Sequence, residues 1–158
     1  MLHVDIVAIG RLKEPWLREG MAEYLKRLSA YCSPEVIELP EYRLPENPSP
    51  AQIAKGLEEE GRAILDRAGR TPFAALCIEG KLLSSPGLAA FLQERQQAGG
   101  SLAFVIGGSF GLSQAVKDRA VLRLSVSPMT FPHQLFRLML AEQLYRGFSI
   151  GAGGKYHK

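Results

Sequence analysis

Short, nearly unbroken apolar runs alternate along this chain with stretches whose apolar positions recur every three or four residues. Leu2 to Ile9 is the first such run, rich in β-branched residues and ended by Gly10; it reads as a strand buried on both faces. Pro15 then opens a helix carrying Trp16, Leu17, Met21, Leu25 and Leu28 at near-helical spacing, to about Ala30. Glu35 to Leu39 is a short second strand. Four prolines between residues 40 and 50 leave room only for an extended surface connector. Ser49-Pro50 has the form of a cap and first turn, and Ile53, Leu57, Gly61, Ile64 and Ala68 continue a helical stripe beside a solvated Glu58-Glu59-Glu60 run.

Phe73 to Ile78 is the third strand, closed by Glu79-Gly80. Ser84 or Ser85 followed by Pro86 starts a third helix, which Gly99-Gly100 stops. Leu102 to Ile106 is a fourth strand running into Gly107-Gly108-Ser109-Phe110-Gly111. Ser113 caps a short helix, and Val121 to Val126 is the fifth strand. Strands alternating with helices imply an α/β fold, a mostly parallel sheet flanked by helices. Length and the absence of an internal repeat point to one domain spanning residues 1–158.

Ligands of such sheets sit where strands end and loops lead out to helices. Three loops qualify: Glu79-Gly80-Lys81, Gly107 to Gly111, and Ser127 to Pro132. The glycine loop is neither a dinucleotide fingerprint nor a P-loop, so it is either a plain tight turn or a place where a ligand approaches bare backbone.

The last helix, about Pro132 to Phe148, carries apolar side chains around its whole circumference. Either the helix is central and fully buried, or, since a chain of this size cannot easily surround a terminal helix, one face meets a second copy in a homodimer, which is the expectation. Its polar groups form two pairs spaced i,i+4, His133 with Arg137 and Glu142 with Arg146. Glu142 with Arg146 reads as an ion pair, whereas Arg137 is expected to reach an anionic ligand and His133 either starts the helix or contacts ligand. Beyond it, a glycine-rich stretch ends in Lys155-Tyr156-His157-Lys158. That end is either frayed, or a hand in which Tyr156 stacks on a base, His157 offers an imidazole for proton transfer and the lysines meet phosphates.

Charge sharpens this picture. Residues 1–109 hold 12 Lys/Arg and 14 Asp/Glu, whereas residues 110–158 hold 7 and 2. The C-terminal third is therefore either a solvated basic face or a surface for an anionic partner, nucleic acid first. No apolar run reaches membrane-spanning length, the N-terminus lacks the features of a secretory signal, and cytosolic residence is expected. Cys32 and Cys77 have no partner at metal-ligand spacing, so no metal is expected; Cys77, inside a strand-like run, is placed in the core. His3 is given no role.

Taken in order, Val105 to Gly111, Ser125 to His133, Glu142-Gln143-Leu144-Tyr145-Arg146 and Tyr156-His157-Lys158 resemble the RlmH family, bacterial methyltransferases of a pseudouridine N3 in large-subunit 23S ribosomal RNA. Gly10-Arg11-Leu12-Lys13 and Ile78-Glu79-Gly80-Lys81 extend the likeness over the whole chain. The resemblance implies a SPOUT-type fold with a C-terminal trefoil knot, a homodimer, and S-adenosylmethionine as cofactor. It assigns Leu76, Gly108, Ser127, Pro128, Met129, Thr130, Phe131 and Pro132 to the cofactor pocket. It places His133, Arg137, Glu142, Arg146, Tyr156 and His157 around the substrate, with a tail that reaches an active site. Glu142 or His157 would aid removal of the N3 proton, Arg137 and Arg146 would hold phosphate or the developing oxyanion, and Lys155 and Lys158 would meet RNA. The assembled ribosome is the expected substrate. A non-catalytic RNA-binding factor with this fold, or a knotted transfer-RNA methyltransferase, are the other readings.

Overall fold

A computed structural model describes all 158 residues. In chain order the elements are β1 (His3–Ile9), α1 (Pro15–Leu28), β2 (Ser33–Leu39), α2 (Pro50–Ala68), β3 (Phe73–Leu82), α3 (Ser85–Ala98), β4 (Ser101–Ile106), α4 (Gln114–Arg119), β5 (Leu122–Ser125) and α5 (His133–Gly151). The strands form one sheet in the order β2-β1-β4-β3-β5, and every pairing is parallel. The expected class is therefore the observed one.

Burial on both faces of the sheet explains the continuous apolar runs. On one side α1, α3 and α5 cover Val4, Ile6, Leu102, Phe104 and Leu124, with Leu140, Ala141, Leu144 and Phe148 of α5 in the same cluster. On the other side α2 and α4 cover Val7, Ile9, Phe73, Ala75 and Val105 through Ile64, Ala68 and Val116. Helix starts follow local chemistry. Ser49 and Gln52 form a reciprocal capping box, and Ser84 and Ser113 accept from Gly87 and Val116 amides.

Two glycines let helices approach α5 closely. A side-chain carbon at Gly147 would stand 2.8 Å from Leu92 Cδ1, and one at Gly20 would stand 3.0 Å from Leu138 Cδ1. The helix thus buries one face, while Leu135, Met139 and Ile150 on the other stay half-buried.

Four expectations change. Glu79-Gly80-Lys81 is not a loop but a continuation of β3, whose pairing with β5 shifts between Leu76 and Lys81. Gly80 makes this possible, because a side chain there would lie 2.7 Å from the Arg123 carbonyl carbon of β5. Trp16 stands in the first turn of α1 but is 57% exposed, outside the packed stripe. Cys77 is half-buried, and Cys32 is the core thiol. Glu60 turns partly inward rather than joining a solvated face, its carboxylate accepting the Tyr42 amide at 3.0 Å.

Candidate active site

At the carboxyl ends of β3, β4 and β5 lies a cleft of about 780 Å³. Its apolar walls come from Leu76, Ile106, Leu124, Phe131 and Phe136, and its rim from Ser127, Met129, Thr130, Pro132 and His133. One side is the glycine loop after β4. Gly108 and Gly111 pair with one another, the Gly111 amide donating to the Gly108 carbonyl at 3.1 Å. Gly111 holds φ of 82°, where a side chain is strained. A side-chain carbon at Gly107 would strike the Gly111 backbone, so this tight loop presents main chain to the cleft.

The other side is the Ser127–Pro132 loop. Ser127 Oγ accepts the Met129 amide at 3.0 Å, and Ser125 Oγ donates to the Ser127 carbonyl at 3.2 Å. Seven of the eight residues assigned to the pocket line the cleft; the eighth, Pro128, is exposed and does not. Lys117 pairs with Glu79 at the rim, and this contact holds the Glu79 carboxyl below its usual range.

Arg137 requires a correction. It is 1% exposed and turned inward, with Nη1 donating to Glu38 Oε2 at 2.5 Å and Nη2 to the Gly10 carbonyl at 3.0 Å. Glu38 also accepts the Leu12 amide at 3.0 Å. So in this structure Arg137 does not reach an external anion and does not pair with His133; it ties α5 to the ends of β1 and β2. His133 remains at the mouth of the cleft.

A second polar group forms at the far end of α5. Glu142 Oε1 accepts from Arg146 Nη2 at 2.6 Å, Arg146 Nε at 3.0 Å and the Tyr156 hydroxyl at 3.1 Å. Glu142 Oε2 accepts from Gln143 at 2.9 Å. The tail is therefore docked rather than frayed at Tyr156, whose ring packs edge-on against Tyr145 at 4.7 Å and under the Arg146 guanidinium at 4.8 Å. Tyr24 of α1 meets the Tyr156 hydroxyl at 3.2 Å. Its bond to Tyr24, burial and Glu142 raise the Tyr156 phenol above its ordinary value, and the bond to Glu142 raises Arg146.

His157 Nδ1 lies 3.0 Å from Arg146 Nη1. Arginine can only donate, so Nδ1 accepts, and a neutral ring carries its proton on Nε2. Lys155 and Lys158 are exposed. Sequence reasoning missed Glu38 and Tyr24, which lie in other elements and carry no local signal of their distant partners. It also missed Phe110, although its place inside the glycine loop was visible.

The polar groups at the two ends of α5 are well separated. Arg146 follows His133 by 13 positions, which at about 1.5 Å per residue is about 20 Å along the helix. Within one chain, none of Glu142, Arg146, Tyr156 and His157 lines the cleft.

A ribosomal RNA large subunit methyltransferase H from Pelotomaculum thermopropionicum is 50% identical over 159 aligned positions, covering 99% of each chain. The protein of the same name from Bacillus thuringiensis is 52% identical, covering 99% of this chain and all of its own. Among solved structures, a probable methyltransferase from Bordetella pertussis superposes with a TM-score of 0.57 at 14% identity, over 92% of this chain and 95% of that one. A tRNA (m1G37) methyltransferase from Aquifex aeolicus superposes with a TM-score of 0.54 at 12% identity, over 90% and 69%. These two likenesses bear on fold alone. The family model described as "Predicted SPOUT methyltransferase" matches residues 2–157. With that match spanning the fold and the cleft, the chain belongs to the SPOUT methyltransferase family.

Proposed function

We propose that the chain, acting as a single-domain subunit of a cytoplasmic homodimer, methylates N3 of a pseudouridine in large-subunit 23S ribosomal RNA, with S-adenosylmethionine as donor and the assembled ribosome as substrate. Identity of about half along the whole chain to relatives named ribosomal RNA large subunit methyltransferase H carries this reading. The basic C-terminal third supports an RNA partner.

The cleft suits the donor. Its volume lies within the usual range for small-molecule sites, its walls are apolar, and the glycine loop and Ser127–Pro132 offer backbone groups to an adenine edge. Leu76, Gly108 and the Ser127–Pro132 loop would hold it, with that loop and α5 forming the threaded part of a trefoil knot. When bound, the donor supplies an electrophilic methyl group. The protein's part is to hold the base in line with it, for which attack geometry is the main source of rate.

An imide N3 attacks poorly until its proton leaves. Glu142 already accepts from three side chains, which suits it to positioning Arg146 and Tyr156 rather than to taking a proton. His157 is the base in this reading, its Nδ1 leaving Arg146 to accept the N3 proton. Arg146 then faces the developing uracil oxyanion, as a fixed donor should. His133, Lys155, Tyr156 and Lys158 contact RNA.

The separation of about 20 Å along α5 supports two copies per working site. The half-buried Leu135, Met139 and Ile150, interspersed with Glu142 and Arg146, form the face that a partner would cover.

His157→Ala tests the chemistry. At saturating donor it should lower methylation of ribosomes about 100-fold or more, the usual worth of a general base, with donor affinity unchanged. An unaltered rate across pH removes His157 from the chemistry. Calorimetry showing no binding of S-adenosylmethionine would favour a non-catalytic RNA-binding factor.

A further inference from the structure

A second recess of about 450 Å³ adjoins the cleft, and the reading above gives it no role. It opens between the proline-rich connector and α2. Tyr42 and Phe110 form its exposed aromatic rims, 36% and 50% accessible, over a floor that includes Leu57. Tyr42 rests on bare helix backbone, since a side-chain carbon at Gly56 would stand 3.1 Å from its Cδ1. Ser109 and Phe110 line both cavities, so occupants of the two would be neighbours.

The polar groups in the recess are unusual for an RNA-facing surface. Glu60 and Glu41 both line it. Glu60 spends Oε2 on the Tyr42 amide, while Oε1 lies 3.8 Å from where a side-chain carbon of Gly108 would stand, at the border of the cleft. No cationic side chain bonds to Glu60 or Glu41, and burial, with Glu41 as a lesser cause, pushes the Glu60 carboxyl above its usual range. Two carboxylates disfavour a phosphate beside Glu60 and leave Arg43, at the rim, as the one cationic group of the lining. They also disfavour uracil, whose N3–H is flanked by carbonyl oxygens, and favour a base that presents an amino group.

We propose that this recess binds a nucleobase bearing an exocyclic amino group, from a nucleotide beside the methylated one, stacked on Tyr42 or Phe110 with the amino hydrogen donated to Glu60. The proposal rests on the RNA-methylation reading and adds to it a determinant of sequence context. Arg43, exposed at the same rim, is placed for that nucleotide's phosphate.

The test uses the full chain saturated with S-adenosylhomocysteine, titrated with AMP, CMP, GMP and UMP while the amide resonances of Gly56 and Phe110 are followed. At least one amino-bearing nucleotide should shift both, with a Kd of about 1–10 mM, the range for one stacked base together with one hydrogen bond to a charged acceptor. UMP should bind roughly tenfold more weakly, and Glu60→Gln or Tyr42→Ala should remove the difference. On ribosomes, Glu60→Gln should raise KM about tenfold with little change in kcat or donor affinity. Equal binding of all four nucleotides, or none, overturns the proposal. So does a shift of the Gly56 amide on adding S-adenosylhomocysteine alone, which would assign the recess to the donor. Methylation of ribosomes by the unaltered chain is scored separately, so loss of the RNA reading and loss of the recess are told apart.

Discussion

Arg137 and Glu38, separated by 99 residues in the chain, meet through a 2.5 Å hydrogen bond that closes α5 onto the end of β2. The two partners are unequally buried: the Arg137 side chain is 1% exposed and the Glu38 side chain 39%. Arg137 also satisfies the Gly10 carbonyl, and its Nε is buried without a partner. Loss of Glu38 would strand a cation that water cannot reach. Loss of Arg137 would leave a carboxylate that can rehydrate.

That asymmetry sets the first prediction. Glu38→Ala should cost about 3–5 kcal/mol of stability, the range for breaking a buried pair. Arg137→Met should cost less, about 2 kcal/mol, because its long apolar chain fills the site and Glu38 turns to solvent. The double variant should recover part of the Glu38→Ala loss. Urea unfolding of the three proteins checks the order, and an Arg137→Met loss equal to or above that of Glu38→Ala contradicts the account.

The same pair shows what the sequence could and could not reveal. The five strands were legible because parallel strands buried on both faces leave continuous apolar runs, and Ser49, Ser84 and Ser113 announced their helices. The cleft loops were legible as glycine and proline clusters after strands. Arg137 was assigned to an anionic ligand because no carboxylate lies near it in the basic C-terminal third except Glu142, which is already matched with Arg146. Its true partners come from strands far along the chain, and periodicity carries no information on such contacts. The continuation of β3 past Gly80 was hidden for a related reason: glycine reads as a stop, yet here it admits the backbone of β5.

Gly107→Ala tests whether the tight loop forms the cleft. The added carbon would stand 3.1 Å from Gly111 Cα and nearer still to the Gly111 carbonyl, backbone atoms that cannot rotate away. Overpacking of this kind costs about 1–3 kcal/mol. Donor affinity, measured by calorimetry, should fall at least about tenfold, since displaced backbone groups no longer meet the ligand. Wild-type affinity in this variant would show that the loop is only a turn.

The thiols give a pH prediction. Burial pushes Cys32 up to about 12 from an ordinary value of 9.0, so the folded state holds its proton more tightly than the unfolded state. Its contribution to stability is complete below about pH 9 and is lost as pH rises towards 12. The stability gap between the wild-type chain and Cys32→Ala should therefore narrow between pH 9 and pH 10.5 in urea titrations. Cys77 lines the cleft and is half-buried, its thiol also raised by burial and then by Glu79. Alkylation of Cys77 should be slow and slower still with S-adenosylhomocysteine bound, whereas Cys32 should label only on unfolding.

The distance between the two ends of α5 yields the most discriminating experiment. If each working site takes its cleft from one copy and its His157 cluster from the other, two defective variants should complement one another. Gly107→Ala spoils the cleft, and deletion of residues 155–158 removes the tail. In a mixed dimer one site carries both defects and the other carries neither. Random exchange makes about half the dimers mixed, so activity should return to about a quarter of the wild-type rate. Assayed with donor well below the Kd of the Gly107→Ala cleft, each variant alone should stay near background, and the deletion should keep its donor affinity, because no residue of 155–158 lines the cleft. A mixture no more active than its components would mean that the tail serves its own chain's cleft, which the docking of Tyr156 on Glu142 and Tyr24 argues against.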